Sequence, residues 1–296
     1  MSAQRYAILE DRGLLMVGGA DAREFLQGLI SNDINKVTDT QSIYAALLTP
    51  QGKFLFDFFV FETAGGLILE TEGGRLPELV KKLTMYKLRA AVELADVTED
   101  WAVAVLWGDG LAQGLGLSPE AGAATAWKDG QVCVDPRLAD AGLRALLPAG
   151  SAEAVLSESG AEAATPADYD RYRLGLGLPD GSRDLILEKS TLLESGFDEL
   201  HGVDWNKGCY MGQELTARTK YRGLVKKRLV PVTLEGAMPE PGTPIVAGGK
   251  EVGELRSGRD GQGLALMRLE FLESGDAACT AGEASVTPKK PAWAEF

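Results

Sequence analysis

The chain has little of the chemistry from which most metal sites and hydrolases are built. Its 296 residues include one histidine and three cysteines. A single histidine, His201, excludes multi-histidine metal sites within one chain. Any Cys–His or Ser–His hydrolase would rest on that one residue, and His201, eight positions before Cys209, reads as a surface or turn residue. Cys133, Cys209 and Cys279 are odd in number, widely spaced and without a CxxC pair. Neither a disulfide framework nor a cysteine-only zinc or iron–sulfur site is encoded, so no resident metal is expected. No stretch approaches ~20 consecutive apolar residues, so there is no transmembrane helix to expect. The opening MSAQRYAILEDRGLLMVGG lacks a basic region followed by an apolar core, and it is not arginine-rich and acid-poor. The expectation is a cytoplasmic protein. Cations are also scarce: a net charge of −13 argues against tight nucleic-acid binding, which depends on lysine and arginine neutralising phosphates. No glycine-rich phosphate loop of the P-loop or dinucleotide type is present.

What is there reads as mixed α and β. Residues 21–30 put Ala22, Phe25, Leu26, Leu29 and Ile30 on one helical face, with Asp21 and Glu24 spaced as a capping box. A strand at 43–48, a turn at Pro50–Gly52 and a strand at 53–62 follow hairpin logic, and 66–72 is a third strand. Leu76, Leu79, Val80, Leu83 and Tyr86 recur at helical spacing over 75–90. This order suggests a ferredoxin-like α+β unit over roughly 1–97. A second α+β part, roughly 98–222, contains strands at 101–107 and 131–135, turns over the glycine- and alanine-rich 108–130, and helices at 151–159 and 167–176. Beyond Arg222 the texture changes to short strands broken by glycine and proline, as in a small antiparallel barrel. That sets a domain boundary near 222, with 223–296 as the barrel. There is no internal repeat.

The most informative stretch is KGCYMGQE, Lys207 to Glu214. It sets a thiol between Gly208 and Gly212, a cation two residues before it, and the pair Gln213–Glu214 behind it. The glycines allow tight or positive-φ backbone around Cys209. The following QELTARTK consists mostly of good helix formers, so the thiol falls just ahead of a helix N-terminus. Lys207 and that terminus would both favour the thiolate, the reactive form. Cys133, between valines in an apolar strand, and Cys279, with no cation near it in sequence, are expected to be inert. Trp205 and Tyr210 flank Cys209 and suit either stacking on a flat ligand or core packing. Lys226, Lys227 and Arg228 read as a surface entry to a strand.

Three segments together resemble the YgfZ family, folate-binding relatives of the glycine-cleavage T-protein: GADAREFLQGLISND (Gly19–Asp33), YAALLTPQGKFLFDFFV (Tyr44–Val60) and KGCYMGQE. The last fits the family's K-x-C-x-x-G-Q-E signature at every fixed position, and GKEVGELRSG (249–258) is similar to the superfamily's C-terminal barrel. The resemblance implies a T-protein-like three-part α+β fold, with ferredoxin-like units around a central tetrahydrofolate pocket and a C-terminal antiparallel β-barrel. It implies assistance in maturing or repairing iron–sulfur enzymes, including some that modify tRNA, with Cys209 and Lys207 at the working centre and a transiently held iron–sulfur cluster as cargo. Tyr44 and Asp57 stand where the T-protein pattern contacts the pterin. Arg218 is placed to pair with a folate glutamate tail, a phosphate or Glu214. Where the T-protein has paired aspartates this chain has Phe56 and Asp57, which puts aminomethyl transfer in doubt. A folate-dependent one-carbon transferase is the alternative, and a scaffold with an empty pocket a third. Expected partners are folate and iron–sulfur client or assembly proteins, with neither direct nucleic-acid contact nor a membrane.

Overall fold

In a computed structural model that describes residues 3–274 and 278–296, the chain divides into two compact units. The first comprises residues up to 48, 56–166 and 200–211; the second comprises 49–55, 167–199 and 212 onward. In this division stretches well before residue 222 join the C-terminal strands. Phe54 N donates to Ser190 O and Glu188 N to Phe54 O, which ties the hairpin tip to 186–190. Leu174 is buried with Leu229 and Leu264, and Trp293 Nε1 donates to Leu176 O.

The first unit contains strands β1 (Arg5–Ile8), β2 (Arg12–Gly18), β3 (Ile43–Leu48), β4 (Phe54–Thr63), β5 (Gly66–Glu72), β6 (Glu93–Asp96), β7 (Trp101–Trp107), β8 (Ala124–Trp127), β9 (Gly130–Val134), β10 (Leu143–Pro148) and β11 (Glu162–Ala163). Its helices are α1 (Ala22–Gln27), α2 (Leu76–Lys87), α3 (Leu111–Gly114) and α4 (Ala152–Ser157). One sheet runs β3-β4-β5-β2-β6. With β2, β4, β5 and β6 as its four strands, this is the ferredoxin-like order 4-1-3-2, and β3 is an added edge. The other sheet runs β11-β1-β7-β10-β9-β8. It has the same order in β7, β9, β10 and β11, but β1 is inserted between β11 and β7, parallel to the first and antiparallel to the second. The two sheets thus share one plan without any sequence repeat.

Local patterns explain most elements. Leu76, Leu79 and Leu83 form the buried stripe of α2, the spacing of one helical face. The aromatic-rich β4 is buried on both faces from Phe54 to Phe61. Asp21 does not close a capping box; its carboxylate accepts from Ala91 N at 2.7 Å instead.

The second unit contains α5 (Pro166–Leu176), α6 (Gly181–Asp184), α7 (Gln213–Tyr221) and α8 (Leu269–Ser274). Strands β12 (Lys227–Glu235), β13 (Pro244–Ala247), β14 (Lys250–Arg259), β15 (Gln262–Arg268), β16 (Cys279–Ala281) and β17 (Ala284–Pro288) close the expected antiparallel barrel. Arg228 does not lie on the surface. Its guanidinium donates to Leu193 O and Glu199 at 2.7 Å and lies over the Phe296 ring.

An ionic network centred on the buried Asp170, Arg173 and Asp184 joins α5 and α6 to β14. Arg173 bonds Asp170 and Asp184, Arg183 and Arg259 bond Asp170, and Ser257 Oγ donates to Asp184. Burial alone would raise the Asp170 carboxyl, but Arg173, Arg183 and Arg259 outweigh it and hold the pKa down at about 2. A depressed carboxyl contributes stability that is complete above its unfolded value and lost as pH falls through the folded one. The stability gap between wild type and Asp170→Asn in urea melts should therefore be full at pH 7 and shrink between about pH 4 and 2. A gap independent of pH across that window would contradict the assignment.

Candidate functional site

The segment Gly28–Lys36 is a rail along which the cysteine loop is laid. Ser31 Oγ donates to Gly202 O at 2.6 Å, Asp204 N to Ser31 O at 3.1 Å, and Met211 N to Gly28 O at 3.1 Å. Asn32 Nδ2 donates both to His201 O (2.7 Å) and to Tyr44 O (2.8 Å), which ties the loop to β3. Asp204 accepts from the backbone N–H groups of Asn206 and Lys207 and pairs with Lys36 at 2.6 Å. Lys207 Nζ donates to three carbonyls, Gln27 O (2.9 Å), Ile30 O (2.6 Å) and Asn32 O (2.8 Å). These acceptors lie at and just past the end of α1, where helical carbonyls lack intrahelical donors. On this anchored loop Gly208 and Cys209 are exposed and Tyr210 is buried, with the Lys207 ammonium 5.1 Å from the Tyr210 ring centroid.

A second cluster lies in the same unit. Tyr44 OH donates to Asp57 Oδ2 at 2.6 Å, and Asp57 is only 5% exposed. The Tyr44 and Phe59 rings are 5.0 Å apart. Arg137 lies 5.6 Å from the Tyr44 ring and 4.8 Å from that of Phe59, while Arg144 lies 3.9 Å from Phe59. Asp135 holds Arg137 through Nε and Nη2, and Glu70 binds Arg12 and Arg144. Burial would raise the Asp135 carboxyl, but Arg137 and Arg144 outweigh it and lower its pKa. The cluster thus sets a buried carboxylate, oriented by a phenol, beside aromatic faces and guanidinium groups.

Comparison with known proteins agrees with this architecture. The family described as "GCVT N-terminal domain" matches residues 10–113, and "CAF17, C-terminal beta-barrel domain" matches 226–296. The structure aligns at a TM-score of 0.78 with a glycine cleavage system aminomethyltransferase T from Bartonella henselae. That alignment covers 99% of this chain and 87% of the other at 18% identity, a likeness of fold. "Iron-sulfur cluster assembly factor IBA57, mitochondrial" of Homo sapiens is 34% identical over 90% of this chain and 78% of its own length. The Mus musculus protein of the same name is 33% identical over 90% and 78%. The Mycosarcoma maydis homolog is 31% identical over 91% and 75%. The chain belongs to the IBA57 family of iron–sulfur cluster assembly factors. This family is YgfZ-related, so the resemblance seen in the sequence holds at that coarser level.

For this IBA57-family chain the structure sorts the expected site residues. Tyr44 and Asp57 meet, and Asp57 is buried between two covered sheet faces rather than at a solvated edge. Cys209 is the exposed thiol, while Cys133 and Cys279 are buried. His201 is exposed, with positive φ and Nδ1 3.3 Å from Arg137 O, as suits a turn residue. Trp205 is half-buried on the cysteine loop. Gly212 has φ +81° and caps α7, which starts at Gln213; Glu214 and Arg218 are exposed on that helix in the second unit. A Cβ on Gly52 would come within 2.7 Å of Gly212 O, so the hairpin turn needs its glycine.

One expectation is corrected, and another gains a structural role. Gly208 has open space around it and no left-handed φ, so no tight geometry requires glycine there. Lys207 is also a strut of the loop, because its three protons go to three carbonyls. Burial pulls its pKa down to about 8, with Asp33 and Asp204 opposing. Lys207→Met should cost about 1.5–3 kcal/mol, the scale for hydrogen bonds from a charged group. It should also speed amide exchange in the cysteine loop; an unchanged urea midpoint would contradict the strut. Asn32, Asp135, Arg137 and Arg144 escaped the sequence reading. The only signal was charged residues at 135, 137 and 144 beside otherwise apolar strands.

Proposed function

We propose that this chain assists the maturation or repair of iron–sulfur enzymes, tRNA-modifying ones among them, binding a reduced folate and using Cys209 as its functional thiol. The observation that carries the reading is an exposed cysteine on a loop anchored along Gly28–Lys36, in a chain whose relatives are named as iron–sulfur cluster assembly factors. Among the described residues no group of three or more His, Cys, Asp and Glu is placed to hold a metal ion. An iron–sulfur cluster would be cargo that Cys209 meets in passing, with further ligands from a client or assembly protein or a small thiol.

The folate half of the reading is supported by the donor set. A pterin is flat and presents N–H donors, and the Asp57 carboxylate, fixed by Tyr44, accepts such donors beside aromatic neighbours. Folate would supply one-carbon or redox chemistry; the protein's part is to orient it through Asp57 and to shield it from water. Asp57→Asn keeps the size and removes the charge, and should weaken tetrahydrofolate binding by about 1.5–3 kcal/mol. Calorimetry showing no binding by the wild type, or equal binding by the variant, would remove folate from the proposal.

The deciding experiment is complementation of a deletion strain, reading the activities of its iron–sulfur enzymes. Wild type should restore them and Cys209→Ser should not. Full rescue by Cys209→Ser would overturn the role of the thiol. Methylene transfer from tetrahydrofolate to an added amine or carrier would favour the one-carbon transferase instead.

A further inference from the structure

We propose that the end of α7 and the turn after it form a docking surface for an acidic segment of a partner protein. Residues 215–228, LTARTKYRGLVKKR, hold six of the chain's 30 lysines and arginines and none of its 43 acids. In a chain of net charge −13, this is a local reversal of sign, and it sets a positive field around α7. Two of the six cations are tied into the fold: Lys220 pairs with Asp198 at 2.9 Å and Arg228 with Glu199 at 2.7 Å. Among the described residues no carboxylate pairs with Arg218, Arg222, Lys226 or Lys227, and the first three of these are exposed.

Apolar exposure falls in the same place. Tyr221 is 76% exposed and Leu224 49%, which a merely solvated charged face does not require. The backbone holds both in a fixed turn. Gly223, at φ +60°, donates its N–H to Lys220 O, and Leu224 N donates to Thr219 O. This pair of bonds is the Schellman ending of a helix, in which a left-handed glycine reverses the chain. Thr216, buried, seats α7 on the second unit, so the surface is preformed and little ordering is needed on binding. A tyrosine and a leucine among arginines and lysines suit a segment that mixes carboxylates with apolar side chains. Buried tyrosine and arginine supply much of the energy of such contacts, and opposite charge steers the encounter. A nucleic acid fits less well. It is a continuous polyanion, and beyond this patch it would run onto a chain with an excess of carboxylates. The surface goes beyond the folate and thiol readings and depends on neither.

The test uses the full chain and three labelled peptides in fluorescence anisotropy. One mixes aspartate and glutamate with leucine and phenylalanine; in the second lysine replaces each acid; in the third serine replaces each apolar residue. The first should bind saturably, the serine peptide several-fold more weakly, and the lysine peptide not at all. Raising salt from about 0.05 to about 0.5 M should weaken the first at least about tenfold. Arg222→Glu with Lys226→Glu should weaken it by about tenfold or more, whereas Arg222→Lys with Lys226→Arg should bind as wild type. Tyr221→Ser with Leu224→Ser should weaken it several-fold. All of these variants should keep wild-type tetrahydrofolate binding and alkylation of Cys209, which separates a failure here from a failure of those readings. Absence of saturable peptide binding, equal binding of the lysine peptide, or indifference to the charge-reversal and serine variants would overturn the surface. So would tighter binding of a single-stranded RNA of the same charge, or self-association in sedimentation that the charge reversal abolishes.

Discussion

Under native conditions a small alkylating reagent should modify Cys209 rapidly and leave Cys133 and Cys279 unreacted until the chain opens. Cys209 is exposed on its loop, whereas Cys133 and Cys279 are 0% and 1% exposed. Burial also pushes the thiol pKa of both buried cysteines up, which further depletes the reactive thiolate. Reaction at a buried thiol must wait for local or global opening. With a domain stability of at least ~5 kcal/mol, that wait amounts to a rate difference of about 10³-fold or more. Mass spectrometry of briefly alkylated protein should therefore show a single adduct on Cys209, and Cys209→Ser should remove it without shifting the thermal midpoint. Early adducts on Cys133 or Cys279, with Cys209 protected, would overturn the placement of the functional thiol.

The largest loss of stability is expected at Glu70. This side chain is fully buried and accepts from Arg12 Nε at 2.7 Å and from Arg144 Nη1 at 2.5 Å. Glu70→Ala would leave two guanidinium groups buried without their shared counter-ion, and removing one partner of a buried pair costs about 3–5 kcal/mol. The change should reach beyond β5, because Arg144 lies over Phe59, which packs against Tyr44. The folate binding proposed for the Tyr44–Asp57 cluster should weaken along with stability. Replacing all three residues together by leucine or methionine should recover much of the stability, since the remaining cost comes from the uncompensated charges. A urea midpoint for Glu70→Ala within about 1 kcal/mol of wild type would show that water reaches the cluster and screens it.

Some of this architecture was legible without a structure. The strands at 43–48 and 66–72 coincide with β3 and β5, and the stripe Leu76, Leu79, Leu83 is the buried face of α2. Periods of two and 3.6 are local properties, set by side chains a few positions apart, so they survive without tertiary information. The KGCYMGQE segment was legible for a related reason. Its residue types are too specialised for packing alone, and exposure of Cys209 follows from glycine and polar neighbours. The likeness of three segments to one family carried the barrel and the T-protein-like plan.

Other features depended on distance in space. Nothing near Lys207 in sequence indicates that its ammonium will meet carbonyls 175 to 180 positions away. The insertion of β1 between β11 and β7 is a matter of pairing between strands far apart, and backbone hydrogen bonds carry no residue code. Within the second unit α5 buries Leu174 against Leu229 and Leu264, which no change of composition near 222 reveals. Glu70 and Arg144, 74 residues apart, are ordinary surface residue types until the fold removes water from both. The sequence alone determined the local elements and the family likeness. Tertiary structure decided which charges pair, because pairing energy depends on burial and separation, and neither is a property of neighbours along the chain.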